Sequence, residues 1–288
     1  MKTIILDGKE TSLKLKNDLK EKLDGYYAKG LPECKLAIIM VGNIPASEVY
    51  VRNKTKSCAA VGIVDELIKL DENVSQKDLE NHVKKLAEDN SVHGILVQLP
   101  LSAHLDESRV TELVPAKKDV DGFTTSSLGK LAIGEDTFIS CTPGGIVYML
   151  KHYGVPLSGK QAVIIGRSKI VGKPLALALL NENCTVTVCH SKTENLKDIT
   201  RTADILVAAI GKAEFVTADM VKEGAVVVDV GINRTENGLK GDVDFASVAE
   251  KCSYITPVPG GVGPMTVAYL MSNTVKAYEN SVVKKIDL

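Results

Sequence analysis

The 288-residue chain has no tryptophan, and aromatic residues make up only 4% of it. Its core must therefore rest on Ile, Val, Leu and Ala, the residues that fill buried parallel strands. A charge excess is also missing: 35 basic side chains face 36 acidic ones, for a formal net charge of -1. That balance supplies no field to hold a polyanion by counterion release, and no basic run exceeds Lys117-Lys118 or Lys284-Lys285. No stretch approaches the roughly 20 apolar residues of a membrane span. The opening Ile4-Ile5-Leu6 meets Asp7 at once, unlike a secretory leader. Neither nucleic acid nor membrane is expected as a partner, and the expected location is cytoplasmic. The six cysteines (34, 58, 141, 184, 189 and 252) form no C-x-x-C pair, and none stands at zinc-ligand spacing with any of the five histidines. They read as reduced thiols in the core, and no metal site is expected.

What is present is an alternation. Apolar runs of strand length fall at 35–41, 64–70, 94–99, 162–165, 185–189, 205–210 and 225–230, with helical patterns between them. Runs such as Ala162-Val163-Ile164-Ile165 are apolar without a period of two, as strands covered on both faces should be. The expected fold class is α/β in two domains: an N-terminal α/β catalytic domain and a C-terminal Rossmann-like, doubly wound parallel sheet. The polar stretch 117–137 separates the third and fourth strands, so the boundary is placed near residue 140, with a linking helix near 142–153. Residues 1–140 would form the first domain and 141–263 the second. A last helix from Pro264 to about Asn280 would carry Ala268, Met271, Val275 and Tyr278 on one stripe, and 264–288 would pack back on the first domain.

The strand at 162–165 runs into Gly166-Arg167-Ser168-Lys169-Ile170-Val171-Gly172-Lys173-Pro174, followed by a helical pattern. Strand, glycine turn and helix N-terminus form a phosphate cradle. The glycines do not follow G-x-G-x-x-G spacing, and a plain βα turn accounts for them equally well. The next strand ends in His190-Ser191-Lys192-Thr193 with no acid to take a ribose 2'-hydroxyl. Together with Arg167 and Ser168, this neutral or basic end favours NADP over NAD, since charge-assisted hydrogen bonds hold a 2'-phosphate. His190 can equally be a capping residue, and Ser191 is the better phosphate ligand. Gly211 and the Gly231-Ile232 turn follow later strands at the edge where open α/β sheets bind ligands, though a simple need for positive φ explains these glycines as well.

The other candidates lie in the first half of the chain. If the segment after Pro45 is helical, Ser47, Tyr50 and Lys54 share a face, offering an aromatic platform beside a titratable amine. A solvated lysine and a half-buried tyrosine fit the same spacing. Gln98, Leu99 and Pro100 end the third strand, placing a neutral amide at the sheet edge. Asp119 and Asp121 flank a Gly122 turn; without a third ligand they suit a carboxylate grip on an amidine-like edge better than a metal.

These segments, with Cys141-Thr142-Pro143 and the run Pro257-Val258-Pro259-Gly260-Gly261-Val262-Gly263-Pro264-Met265-Thr266, resemble in order the bifunctional methylenetetrahydrofolate dehydrogenase/methenyltetrahydrofolate cyclohydrolase family. Ser102 and Ser140 stand where many relatives carry proline, and neither position has to donate a catalytic group. The resemblance implies a folate cleft between the two domains, a homodimer, and tetrahydrofolate one-carbon derivatives as substrates. NADP-dependent oxidation of 5,10-methylenetetrahydrofolate would give the 5,10-methenyl form, and hydrolysis would give 10-formyltetrahydrofolate for reactions such as purine biosynthesis.

In that frame hydride leaves a carbon flanked by two nitrogens, so no hydroxyl proton has to be removed and alignment is the main requirement. Water addition does need a base. Lys54 is the candidate, provided that burial or like charge from Lys56 and the cationic substrate lowers its pKa. Gln98 would position the amine, Tyr50 would stack on the aminobenzoate ring with Ser47 nearby, and Asp121 would hold the pterin. Gly260, Gly261 and Pro264 would wall the folate. Gly166, Arg167, Ser168, Ser191, Gly211 and Ile232 would bind NADP. Two rivals remain open at this point: a dehydrogenase without the hydrolytic step, and a non-catalytic nucleotide-sensing module that would have no use for the Tyr50, Lys54, Gln98 and Asp121 set.

Overall fold

A computed structural model of the chain describes residues 2–43, 45–236 and 238–284, with the side chains of Pro45 and Ala46 left out. In chain order the elements are β1 (Ile4–Ile5), α1 (Gly8–Tyr27), β2 (Lys35–Val41), α2 (Pro45–Val61), β3 (Val64–Leu70), α3 (Gln76–Glu88), β4 (Gly94–Val97), α4 (Glu107–Glu112), α5 (Thr125–Ala132) and α6 (Cys141–His152). They continue with β5 (Gln161–Ile165), α7 (Gly172–Asn181), β6 (Thr185–Cys189), α8 (Leu196–Thr200), β7 (Ile205–Ala208), β8 (Val226–Asp229), β9 (Asn233–Thr235), β10 (Gly238–Lys240), α9 (Phe245–Ala249), β11 (Tyr254–Ile255) and α10 (Val262–Tyr278).

The chain divides into two compact units, Leu13–Cys141 with Val267–Leu288 and Met1–Ser12 with Thr142–Thr266. The first is built on a parallel sheet ordered β3-β2-β4. Central β2 is buried along nearly its whole length, as its unbroken apolar run requires, whereas edge strand β3 alternates exposed and half-buried residues. Helix α3 shows how the sequence sets its elements. Ser75 caps its N-terminus by accepting the Asp78 N–H at 3.1 Å, and Leu79, Val83 and Leu86 at i, i+4 and i+7 face the core. Burying each such side chain is worth about 1.5–3 kcal/mol. At the other end the buried Lys118 ammonium donates to the carbonyls of Leu86 (2.9 Å) and Asp89 (2.6 Å). Loss of hydration on burial holds that amine below its usual range.

The second unit carries a fully parallel six-stranded sheet ordered β1-β11-β8-β7-β5-β6. β5 is followed by a crossover to β6 on one side and, after β6, the chain returns to β7 on the other, so the direction of winding reverses at β5/β7. The antiparallel hairpin β9–β10 follows β8. β1 and β11 are two-residue strands, too short for a periodicity to reveal, and so is the assignment of the first twelve residues. The sequence groups them with the N-terminal domain; in the structure Ile4 and Ile5 pair with Tyr254 and Ile255, and the Asp7 N–H donates to the Tyr153 hydroxyl at 2.9 Å. The last helix begins at Val262 and runs to Tyr278, followed by a wider turn over Glu279–Val283; the last four residues of the expected 264–288 segment lie outside the described residues. The six cysteines are free and buried.

Candidate active site

In the unit built on β3-β2-β4, the expected folate residues Ser47 to Asp121 come from α2, the end of β4 with the loop after it, and the segment between α4 and α5. The Gln98 N–H donates to the Ile39 carbonyl at 2.9 Å, extending the ladder one residue past β4 and fixing where its side chain emerges. Lys54 Nζ donates to Gln98 Oε1 at 2.9 Å, and Gln98 Nε2 donates to the Leu99 carbonyl at 2.6 Å. The second bond locks the amide, so its oxygen must face the lysine. Lys54 is half-buried, Lys56 exposed, Ser47 buried, and Tyr50 presents half of its surface to solvent. Leu99 is half-buried and Pro100 exposed beside the amide.

Asp119 and Asp121 have separate fates. Asp119 is consumed by its own loop, accepting the N–H groups of Phe123 (3.1 Å) and Thr124 (2.9 Å) and the hydroxyls of Thr124 (2.7 Å) and Ser127 (2.6 Å). Asp121 has no such set of N–H and hydroxyl donors among the described residues. Its carboxyl keeps some accessible surface but is surrounded by protein, and burial pushes its pKa up to about 6 against the opposing pull of the Lys54 ammonium. The Cys141 thiol lies 3.7 Å from Asp121 Oδ1 and 3.4 Å from the Val120 carbonyl. Asn273 Nδ2 donates to the carbonyls of Val120 (2.8 Å) and Ile139 (2.9 Å), and the buried Ser140 hydroxyl donates to the Gly122 carbonyl at 3.0 Å. Sequence reasoning did not assign Asn273 or Ser140 to this site. Both act on main-chain carbonyls, which no motif of reactive side chains discloses. His93 is buried as well, but its Nδ1 accepts the Lys35 N–H and burial holds its pKa down near 4, so it works as a neutral strap between strands.

The six expected cofactor residues fall in the other unit, around the reversal at β5/β7. Gly166 has φ +126°, and a Cβ there would strike the Ala209 carbonyl; a Cβ on Gly172 would strike that of Gly166. Only glycine allows this turn to close up against the next strand before α7 begins. Arg167 and Ser168 are exposed, and Arg167 has no ion pair among the described residues. The Ser168 hydroxyl accepts the N–H groups of Val171 (3.1 Å) and Gly172 (3.3 Å), shaping the turn while its own proton stays free to donate. At the end of β6, His190 Nδ1 accepts the Lys192 N–H and the His190 N–H donates to Thr193 Oγ1, which makes it a turn residue; Ser191 is exposed. Gly211 (φ +67°) and Ile232 are exposed in the turns after β7 and β8. Gly260, Gly261 and Pro264 lie in this unit too; the Gly261 carbonyl lies so close to Gly8 that Gly8 could carry no side chain, and a Cβ on Gly261 would strike Thr256 and the Pro257 carbonyl.

The catalytic-domain model of the tetrahydrofolate dehydrogenase/cyclohydrolase family matches residues 6–121, and its NAD(P)-binding-domain model matches residues 140–282. The chain belongs to this family. It is 53% identical over 274 residues to the bifunctional protein FolD of Agathobacter rectalis, covering 95% of this chain and 98% of that one. Among solved structures, the bifunctional FolD dehydrogenase/cyclohydrolase of Campylobacter jejuni superposes with a TM-score of 0.94 at 50% identity, covering 96% of this chain and 99% of that one. The Trypanosoma brucei FolD, solved with NADP and an inhibitor, gives 0.91 at 35% identity over 98% and 99% of the two chains. The family's two-domain division runs through the 122–139 segment, where Asp121 and Ser140 meet the Gly122 turn.

Proposed function

We propose that Lys54 is the base of the hydrolytic step, Asp121 the anchor of the pterin and Tyr50 the platform for the aminobenzoate ring. The enzyme in which they work is a bifunctional methylenetetrahydrofolate dehydrogenase and methenyltetrahydrofolate cyclohydrolase that uses NADP. The observation that carries the assignment is the 2.9 Å bond from Lys54 to an amide oxygen locked in place by Leu99.

NADP supplies the hydride acceptor, and the carbon that loses hydride becomes an amidinium stabilised by its two nitrogens. The chain's contribution there is alignment. In the second step water adds to the methenyl carbon and passes one proton to the Lys54 amine; the hydroxyl of the adduct then loses its proton to solvent as the formyl C=O forms, the bond from that carbon to the ring nitrogen breaks, and the nitrogen takes the proton held by Lys54. Gln98 holds the amine by accepting from it through an uncharged amide oxygen. An ionised Asp121 accepts the amino and ring N–H groups of the pterin, a demand common to both steps. Leu99 and Pro100 border that amide, and Ser47 supports the same helix face.

For the cofactor, the tight Gly166–Gly172 turn before α7 leaves backbone N–H groups for the pyrophosphate. Arg167, Ser168 and Ser191 are exposed polar groups at a strand end without an acid, which suits a 2'-phosphate. Gly211 and Ile232 receive the nicotinamide end, and Gly260, Gly261 and Pro264 offer main chain to the folate. The reading includes a cytoplasmic homodimer: β3 is an open sheet edge with Val64 and Leu67 more than a third exposed, the kind of edge a second copy covers. Among the described residues no helix is long and apolar enough to cross a membrane.

The test is a coupled absorbance assay that follows NADPH formation and then methenyl decay, run with NADP and with NAD, on the wild type and on Lys54→Met. Loss of methenyl decay with oxidation retained is the expected result. Loss of both would make Lys54 a folate-binding residue, and wild-type decay would remove it from the step.

A further inference from the structure

Two buried carboxylates in the nucleotide unit have no part in the chemistry above. Asp229 ends β8 and Asp242 follows β10, with 3% and 0% of their surface exposed. The Asp242 carboxylate accepts the N–H groups of three successive residues in the turn after β7: Ile210 (2.7 Å), Gly211 (3.0 Å) and Lys212 (2.8 Å). It also accepts Asn233 Nδ2 at 3.0 Å, from the strand that follows the turn after β8. Asp229 accepts the N–H groups of Gly231 (2.9 Å), Asp242 (2.8 Å) and Val243 (2.9 Å), while its own N–H donates to Thr256 Oγ1 at 2.7 Å, just ahead of the Pro257–Gly261 run.

Three successive amides converging on an anion form a nest of the kind that elsewhere holds a phosphate. Here the chain fills the nest with its own side chain. Two acids buried side by side are a poor way to gain stability, because apolar packing of the same volume costs no desolvation. Gly231 and Gly241 have no room for a Cβ because these carboxylates occupy it. The expense is coherent if the two turns must be held at a fixed geometry to each other.

We propose that Asp242, seated by Asp229, is a positioning residue that clamps the Gly211 and Ile232 turns in the arrangement that receives the nicotinamide end of NADP. The inference rests on the assignment of NADP to those turns. Asp242 touches no reacting atom; it sets where the main chain lies. An Asn at this position keeps one oxygen for four N–H donors and turns an NH2 group toward the others, so the clamp loosens without a change of shape.

The experiment measures both activities separately on purified full-length enzyme, with methenyltetrahydrofolate supplied directly for the hydrolytic half. Asp242→Asn should raise the NADP KM and lower the dehydrogenase kcat, together by roughly tenfold or more, the order of one charge-assisted hydrogen bond. Cyclohydrolase activity should stay within about twofold of wild type, because Lys54, Gln98 and Asp121, the groups proposed for water addition and pterin binding, lie in the other unit. Asn233→Ala, which releases only one arm of the clamp, should move the same constants by about threefold. Wild-type NADP constants in a folded Asp242→Asn protein would overturn the proposal. If that variant does not fold, Asn233→Ala decides, and unchanged NADP constants there overturn it as well. Arg167→Ala is measured alongside: if it alone weakens NADP, the clamp is wrong and the cofactor site stands, whereas indifference of all three variants removes both.

Discussion

The two units make sites from different materials. In the three-stranded unit the candidate site is made of side chains: an amine, an amide and a carboxyl brought together from α2, the end of β4 and the segment between α4 and α5. In the six-stranded unit the site is mostly main chain, shaped by glycines at Gly166, Gly172 and Gly231 and by amides that ring Asp242. A side-chain site can lose one function and keep its shape. A main-chain site has few groups to remove, and substitutions act on it through geometry. On the proposed assignment, proton chemistry would fall where residues can be changed one by one, and hydride alignment where main-chain geometry sets the site.

The sharpest break of this comparison is Lys54→Met, measured by methenyl absorbance. The expected loss of hydrolysis is about 10² to 10⁴, the contribution of general base catalysis, with dehydrogenase activity still measurable. Exposed Lys56, about 200° round the helix, should tolerate the same change with far less loss. If methenyl decay responded equally to both, the helix face would be wrongly assigned.

Next in size is Arg167→Ala. A charge-assisted hydrogen bond to the 2'-phosphate is worth on the order of 1.5–3 kcal/mol, so kcat/KM for NADP should fall by roughly one to two orders of magnitude while that for NAD changes little. Equal losses would mean that Arg167 serves the turn and not the phosphate.

Asp121, in its proposed role, bears on both units, since the folate it would hold is common to both reactions. With its pKa raised from 3.8 to about 6, the carboxylate that accepts from the pterin is lost as pH falls through about 6, and kcat/KM for folate should fall on that side in both activities. Asp121→Asn should raise the folate KM and abolish this acid limb; a persisting limb assigns it to another group. The linkage to stability has the opposite sense. Asp121 and Asp229 are both raised from 3.8 to about 6, so the folded state binds their protons more tightly than the unfolded one. Their contribution is present at low pH and is lost as pH rises from about 4 to 6. A melting series over that window should show a shallower decline for Asp121→Asn.

The smallest effect expected is that of Ser140→Ala, which removes one buried hydrogen bond to the Gly122 carbonyl. About 1 kcal/mol of stability, read as a shift of a few degrees in melting temperature, should go with almost no change in folate KM. A large KM change would make the Gly122 turn a more active partner of Asp121 than its geometry indicates.

The side-chain site was the more legible of the two. Lys54, Gln98 and Asp121 are chemically distinctive at strand and helix ends, and the long apolar runs disclosed β2, β4, β5, β7 and β8 because full burial imposes a composition. Edge strands β3 and β6 were read from the same kind of apolar run, although in the structure much of each stays only half-buried or exposed. What stayed hidden were two-residue strands, whose partners lie far along the chain, and acids such as Asp119 and Asp242 that serve N–H groups. An aspartate that binds backbone looks in sequence like one that binds substrate. Paired carboxylates at 119 and 121 were separable only through the hydroxyls of Thr124 and Ser127, and no spacing rule encodes where a loop will fold back.

The short strand β1 has a bearing on how the molecule is made. Its neighbours in the sheet are synthesised long after it: the Thr3 hydroxyl donates to the Cys252 carbonyl, 249 positions away. On a ribosome Ile4 and Ile5 must wait, unpaired in the sheet, until their partners Tyr254 and Ile255 have emerged. Closure of so long a loop makes the docking of β1 a late and entropically costly event. Nascent chains stalled short of residue 254 should therefore leave these residues open to a protease that the finished protein resists.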